Sequence, residues 1–255
     1  MRKALVVGGA NGIGLSIATE LAKRTDIEKV YIVDKSPLSE EFANEKFEVH
    51  QFNLTLEDYS IFDKFQDVDT LMITAGFGRL ALFKDMDESM IPLSFNVNTI
   101  PVMRIIKRFY HKLESQQDFY CGVMVSIAGF MSSPFFSIYA ATKAALKVFI
   151  ESVNVELLKA GSTNQILNVS PGSLKGTSFT NGKTDLSVTD LWLRLLLRKW
   201  RKRTTSIYLN MRKSSKRYSS VIRMISVRRG HIRMIIKLNQ EGFNIILGIK
   251  RNRKR

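Results

Sequence analysis

The sequence predicts a doubly wound α/β domain followed by an atypical C-terminal segment, and three observations carry that expectation. Apolar runs of strand length recur at residues 4–7, 30–33, 47–52, 70–74, 123–127 and 166–169. Stretches with helical spacing lie between them, at residues 13–23, 57–65, 88–113 and 139–158. A glycine-rich turn joins the first run to the first helical stretch. Continuous Val/Ile/Leu strands alternating with helices fit a parallel sheet covered on both faces.

Composition supports one large domain. The chain has 255 residues, 45% of them hydrophobic and 24% charged, enough apolar material for a packed core. Cys121 is the single cysteine, which excludes an intramolecular disulfide framework or a cysteine zinc cluster. His50, His111 and His231 are scattered without metal-ligand spacing, so no metal site is expected. No stretch approaches the ~20 apolar residues of a transmembrane helix. The N-terminus runs into the first glycines too soon for a signal peptide, and a cytoplasmic protein is the expectation.

The first strand ends in Gly8-Gly9-Ala10-Asn11-Gly12-Ile13-Gly14. Glycines there permit a tight turn and let the backbone approach a pyrophosphate, whose charge sits on N–H groups at the helix N-terminus. Asp34 closes the second strand, 20 residues beyond Gly14. A carboxylate at that spacing accepts hydrogen bonds from ribose hydroxyls and repels a 2′-phosphate, which favours NAD; Lys35 beside it keeps NADP as the alternative.

Tyr139-Ala140-Ala141-Thr142-Lys143 puts a phenol and an ammonium on one face of a helix. A tyrosine with a pKa of about 10 is a poor base at neutral pH, and a neighbouring cation is expected to lower that value. Alone, such a pair reads as ordinary helix surface. Its neighbours change that reading.

Gly8-x-x-x-Gly12-Ile13-Gly14, Thr74-Ala75-Gly76, Asn98, Ser126, Tyr139-x-x-x-Lys143 and Pro171-Gly172 resemble the short-chain dehydrogenase/reductase family, over about residues 1–180. The resemblance implies a Rossmann fold and hydride transfer between a nicotinamide cofactor and an alcohol or carbonyl substrate. It makes Tyr139 the general acid/base, and Lys143 the group that lowers its pKa and holds the nicotinamide ribose. Ser126 would orient the reacting oxygen, and Asn98 would hold a water that relays protons from Lys143. The implied cofactor contacts are Gly8, Asn11, Gly12, Ile13, Gly14, Asp34, Asn53, Leu54, Ala75, Gly76, Tyr139, Lys143, Pro171, Gly172 and Thr177. Homodimers or homotetramers formed through the long helices are implied as well.

The sequence departs from the family pattern in places. Thr74 stands where the family usually has asparagine, and Asn53 where it has an acid. Asn96 competes with Asn98 for the same role; the setting Val97-Asn98-Thr99 favours Asn98. Ser126 also reads as a strand-end serine bonded to backbone. Cys121 reads as core rather than nucleophile. The segment after Pro171 would form a lid over the substrate. Phe135, Phe136 and Phe179 read either as an apolar substrate wall or as ordinary packing.

The net charge of +16 is unevenly placed. Residues 1–185 hold 19 Lys+Arg against 21 Asp+Glu, a net −2, whereas residues 186–255 hold 20 against two, a net +18. In that tail the expected helix and final strand are not recognisable, and the sheet is expected to lack its last strand. Three readings compete: a nucleic-acid arm using Trp200, Tyr208 and Tyr218; a membrane- or partner-binding extension; and an out-of-frame translation starting near residues 186–190. The third is favoured, because the codons permit a charge-balanced alternative frame with an amphipathic helix. Nucleic acid is therefore not the expected partner. The alternative function is a catalytically impaired nucleotide- or nucleic-acid-binding protein.

Overall fold

The computed structural model describes residues 2–172, together with the backbone of residues 206–209, 227–228 and 231–232. Six strands alternate with helical segments through residue 171: β1 Arg2–Val7, β2 Ile27–Asp34, β3 Phe47–Gln51, β4 Thr70–Ile73, β5 Tyr120–Met124 and β6 Ile166–Pro171. A further strand, β7 Ser206–Leu209, extends the sheet. The order is β3-β2-β1-β4-β5-β6-β7, with every neighbouring pair parallel. Short strands β8 Val227–Arg228 and β9 His231–Ile232 pair antiparallel as a separate ribbon. This is the expected doubly wound Rossmann architecture.

Alternation along the strands builds two cores. Leu5, Val7, Leu71, Ile73, Cys121 and Val123 point to one face, where they meet Ile105, Leu146 and Ile150. Ala4, Val6, Val30, Ile32 and Met72 point to the other, where they meet Ile17, Ala18 and Leu21. Burying each such Leu or Ile side chain contributes about 1.5–3 kcal/mol. The helix behind the second core is α1, Gly12–Ala22. On the first face lie α3, Ile100–Arg108, and α5, Ser137–Lys159. Burial drives the Cys121 thiol up to about 12, a core sulfur rather than a nucleophile.

Two helical expectations and one strand end need correction. Residues 57–65 do not form an α-helix; only Ser60–Phe65 is helical, and it is a 3-10 turn. Three residues per turn bring Tyr59, Phe62 and Phe65 onto one side, and all three are buried. The continuous helix expected over 88–113 is instead three: α2 Met90–Asn98, α3, and α4 Tyr110–Glu114. Thr99 leaves helical geometry (φ −121, ψ −61), and Pro101 lacks the N–H that would bond Val97 and would crowd its carbonyl. Phe109 makes the second break, burying its ring at φ −98, ψ 7. The fifth strand also ends at Met124, earlier than expected, which leaves Ser126 beyond it.

The expectation that the sheet lacks a last strand is overturned for the backbone. Asn168 to Pro171 pair in register with Ser206 to Leu209. The proposed lid with Thr177 and Phe179, and Trp200 and Tyr218 of the tail, lie outside the described residues. Among those described, no helix is long and apolar enough to cross a membrane.

Candidate active site

The order in which the parallel strands are added reverses between β1 and β4, since β2 and β3 lie to one side and β5 to β7 to the other. Such a switch point opens a crevice at the carboxyl ends of the strands. Every segment singled out from the sequence and described here reaches that edge or the helices behind it.

The glycine turn fills the crevice floor. Gly8 (φ +82) and Gly12 (φ +51) adopt backbone that favours glycine. A Cβ on Gly14 would sit 2.0 Å from Gly8 O and 2.5 Å from Thr74 Oγ1, and one on Gly8 would sit 2.5 Å from Ala75 N. The turn is therefore wedged between the start of α1 and the end of β4. Thr74 locks it: its hydroxyl donates a shared bond to Val7 O at 2.9 Å and Gly8 O at 3.0 Å. Asn11, exposed at the N-cap, makes no side-chain cap, and the first turn of α1 holds no acidic residue. The helix end thus keeps its positive character for an anion.

Asp34 stands beside this turn, half-buried, accepting from Ala10 N and Ser36 N, each at 3.0 Å. One carboxylate thereby joins the end of β2 to the glycine turn. Asn53 is exposed past β3, its Oδ1 accepting from Thr55 N and Thr55 Oγ1. Leu54 next to it packs against the core, and its carbonyl accepts from Tyr59 Oη at 2.6 Å.

Four polar side chains converge past β4 and β5. Ser126 is buried and opens the 3-10 turn Ile127–Gly129, its Oγ accepting from Ala128 N at 3.2 Å. It also hydrogen-bonds Tyr139, so the backbone-bound and the site readings of this serine are compatible. Lys143, one turn on, is buried with Nζ donating to Met124 O at 2.9 Å and standing 5.7 Å from the Tyr139 ring centroid. Asn98 is fully buried, while Asn96 is exposed. A Cβ on Gly76 would lie 3.1 Å from Asn98 Oδ1 and 3.3 Å from Lys143 Nζ, so Gly76 leaves room for both. Pro171 ends β6 and Gly172 follows it.

Electrostatics differ from expectation at two of these groups. Burial pushes the Tyr139 phenol up, and the Ser126 hydrogen bond pulls it down by less. The expected lowering by Lys143 is not what sets it. Burial meanwhile brings Lys143 down to about 8. Asn98 spends its amide on protein: Oδ1 accepts from Phe77 N, and Nδ2 donates to Phe77 O and Thr142 Oγ1. A water-holding role for its side chain has to share those groups.

Two residues of weight were not singled out as site residues. Thr142 donates to Tyr139 O at 2.7 Å, accepts from Asn98, and receives Thr99 Oγ1 on its own carbonyl at 3.1 Å. It ties the break before α3 to the turn of α5 carrying Tyr139. Its position between the tyrosine and the lysine was the available signal. Thr74 was noted only as a conservative departure, because its anchoring of Gly8 depends on a contact 66 residues away in sequence.

The chain is similar in sequence and fold to known proteins. The sequence model of the family described as short chain dehydrogenase matches residues 2–186. The dehydrogenase RED2 of Cochliobolus heterostrophus is 27% identical over 170 residues, covering 64% of this chain and 63% of that protein. The uncharacterized oxidoreductase TDA5 of Saccharomyces cerevisiae is 25% identical over 191 residues, covering 70% of this chain and 57% of its own length. The chain thus spans less than two thirds of either relative. An alcohol dehydrogenase from the archaeon Thermococcus sibiricus, solved with 5-hydroxy-NADP, superposes with a TM-score of 0.69 at 20% identity, covering 86% of this chain and all of that one. With the family match running through β1 to β6 and the turn, serine, tyrosine and lysine in place, this chain belongs to the short-chain dehydrogenase family.

Proposed function

We propose that the chain is an NAD(P)-dependent oxidoreductase that interconverts an alcohol and its carbonyl compound. The observation that carries this reading is the Ser126–Tyr139 hydrogen bond with the buried Lys143 ammonium one helical turn away. The crevice suits a dinucleotide: a wedged glycine turn, a helix N-terminus without a first-turn acid, and a carboxylate at the end of β2. The turn with Asn11 and Ile13 would hold the pyrophosphate, Asp34 the adenosine ribose, and Asn53 and Leu54 the adenine. Ala75, Gly76, Pro171, Gly172 and Thr177 would flank the nicotinamide, and Lys143 would hold its ribose. When bound, the nicotinamide supplies the hydride acceptor or donor.

The protein's own part is the proton. Ser126 fixes the substrate oxygen beside Tyr139 Oη. In oxidation Tyr139 takes the hydroxyl proton as the C=O bond forms; in reduction it returns one. Lys143, which with a pKa of about 8 is mostly cationic at pH 7, would stabilise a phenolate formed there, against the burial that raises the Tyr139 phenol. Asn98, held by Phe77 and Thr142, fixes the wall beside Lys143.

Asp34 supports NAD as the preferred cofactor, because a 2′-phosphate would meet its carboxylate; NADP is the alternative, as the bound cofactor of the Thermococcus enzyme illustrates. Assembly into a homodimer or homotetramer is supported by exposed Val148, Val155 and Leu158 along one side of α5, and a purely monomeric species in light scattering would refute it. A cytoplasmic location belongs to the same reading. So does an out-of-frame origin of residues 186–255, supported by the family match ending at residue 186, where the charge changes. Reading the gene from codon 180 onwards tests it, and an intact frame overturns it.

Turnover tests the chemistry. Tyr139→Phe is expected to lower kcat for any accepted alcohol roughly 10²–10⁴-fold while NADH still binds. Wild-type turnover in that variant would sink the assignment.

A further inference from the structure

The approach to Tyr139 is built from two segments that leave large apolar side chains in solvent. Residues 77–83 follow Gly76 and present Leu80, Leu82 and Phe83; residues 127–136 follow Ser126 and present Phe130, Met131 and Phe135. Leu80 is 66% exposed, Phe83 62%, Met131 60% and Phe135 50%, so none of these is explained as core. The segments touch: Ala81 N–H donates to Phe135 O at 3.0 Å. Both are anchored to the reacting groups. Phe77 is held at both ends by Asn98, and the Phe136 ring lies 5.7 Å from the ring of Tyr139.

Two further features favour a ligand over neglect. Phe135 sits at φ +67, the one described non-glycine residue with positive φ, a conformation that costs a bulky side chain stability and is retained where a site uses it. Among the 17 residues of the two segments only Arg79 is charged. An exposed apolar patch beside polar reacting groups is how sites for apolar ligands are built. Within the two segments, sugars, amino acids and acids would meet only Arg79 and the hydroxyls of Ser132 and Ser133 as polar side chains.

We propose that the substrate carries its alcohol or carbonyl on a large hydrocarbon body, which lies across Leu80, Leu82, Phe83, Phe130, Met131 and Phe135 while its oxygen reaches Ser126 and Tyr139. This inference rests on the oxidoreductase reading and adds the substrate class to it.

The test is a chain-length series of primary and secondary alkanols, from butanols to decanols, oxidised by the full chain with NAD. kcat/KM is expected to rise roughly fourfold per added methylene. The decanol-to-butanol ratio should fall at least tenfold in Leu82→Asp and Met131→Asp, both at exposed positions, with folding checked by thermal melting. Calorimetric binding of decanol to the NADH-bound protein supplies a readout independent of turnover. A flat series with turnover intact overturns the substrate class and leaves the oxidoreductase reading standing. Decanol binding without NAD reduction by any alkanol supports the apolar site and overturns the reaction. Neither binding nor turnover overturns both. Adsorption to phosphatidylcholine vesicles that the two variants abolish, with the decanol ratio unchanged, overturns the substrate class in favour of a membrane contact.

Discussion

Asn98 and Phe77 grip each other at both ends: Phe77 N–H donates to Asn98 Oδ1 at 2.9 Å, and Asn98 Nδ2 donates to Phe77 O at 2.8 Å. The pair closes the loop after β4 onto the end of α2, and through Thr142 onto the helix that carries Tyr139. Asn98→Ala removes three hydrogen bonds and strands the Phe77 backbone. A loss of about 2–3 kcal/mol in urea unfolding is expected, together with reduced turnover. A change under about 0.5 kcal/mol would show that the grip is incidental.

Thr74 makes a separable prediction about the cofactor. Its hydroxyl holds Val7 O and Gly8 O, on the glycine turn. Thr74→Val keeps the shape and removes the bond. NADH affinity, followed by fluorescence titration, should weaken about 5- to 30-fold, which corresponds to ~1–2 kcal/mol. Unchanged affinity would mean that backbone bonds from Thr74 N and Ala75 N to Val7 O hold the turn unaided.

What the sequence made legible follows the range of each interaction. The strands were legible because both faces of the sheet are buried, which demands unbroken apolar runs such as Ala4 to Val7. The glycine turn and the Tyr139/Lys143 pair were legible because each is local. Breaks within the 88–113 stretch were not, since the apolar pattern continues through Thr99 and Phe109, and only Pro101 hinted at one of them. The 57–65 stretch carried a spacing of three that suits either helix type, and aromatic packing decided for the tighter one. The Asn98 and Thr142 network spans 44 residues of sequence and emerges only in the fold.

Two glycines of different environment test the packing argument. Gly14→Ala would place a methyl 2.0 Å from Gly8 O, which is backbone and cannot step aside cheaply. A loss of about 3 kcal/mol or more and undetectable NADH binding are expected. Gly161, unlike Gly14, has left-handed backbone, at φ +79, and a Cβ there meets nothing within 4 Å. Gly161→Ala should therefore cost only the left-handed backbone penalty, about 1–2 kcal/mol, with affinity intact. Similar losses in both variants would contradict the crowding assigned to Gly14.

Lys143 carries a pH signature in stability. Its folded pKa of about 8 lies below the ordinary lysine value of 10.5, so above pH 8 the folded state sheds this proton before the unfolded chain does. The unfolded state then binds more protons, and stability rises with pH between about 8 and 10.5; below 8 the burial penalty is fully present. The gain is at most about 3 kcal/mol. Cys121 and Tyr59, each pushed up to about 12, work against it at the alkaline end, because the unfolded chain ionises them first. The difference between wild type and Lys143→Met isolates the lysine. Urea unfolding at pH 7.5 and pH 10 should show wild type gaining on the variant as pH rises. A difference that stays constant between the two pH values would place the Lys143 pKa near that of an exposed lysine and remove the burial penalty assigned to it.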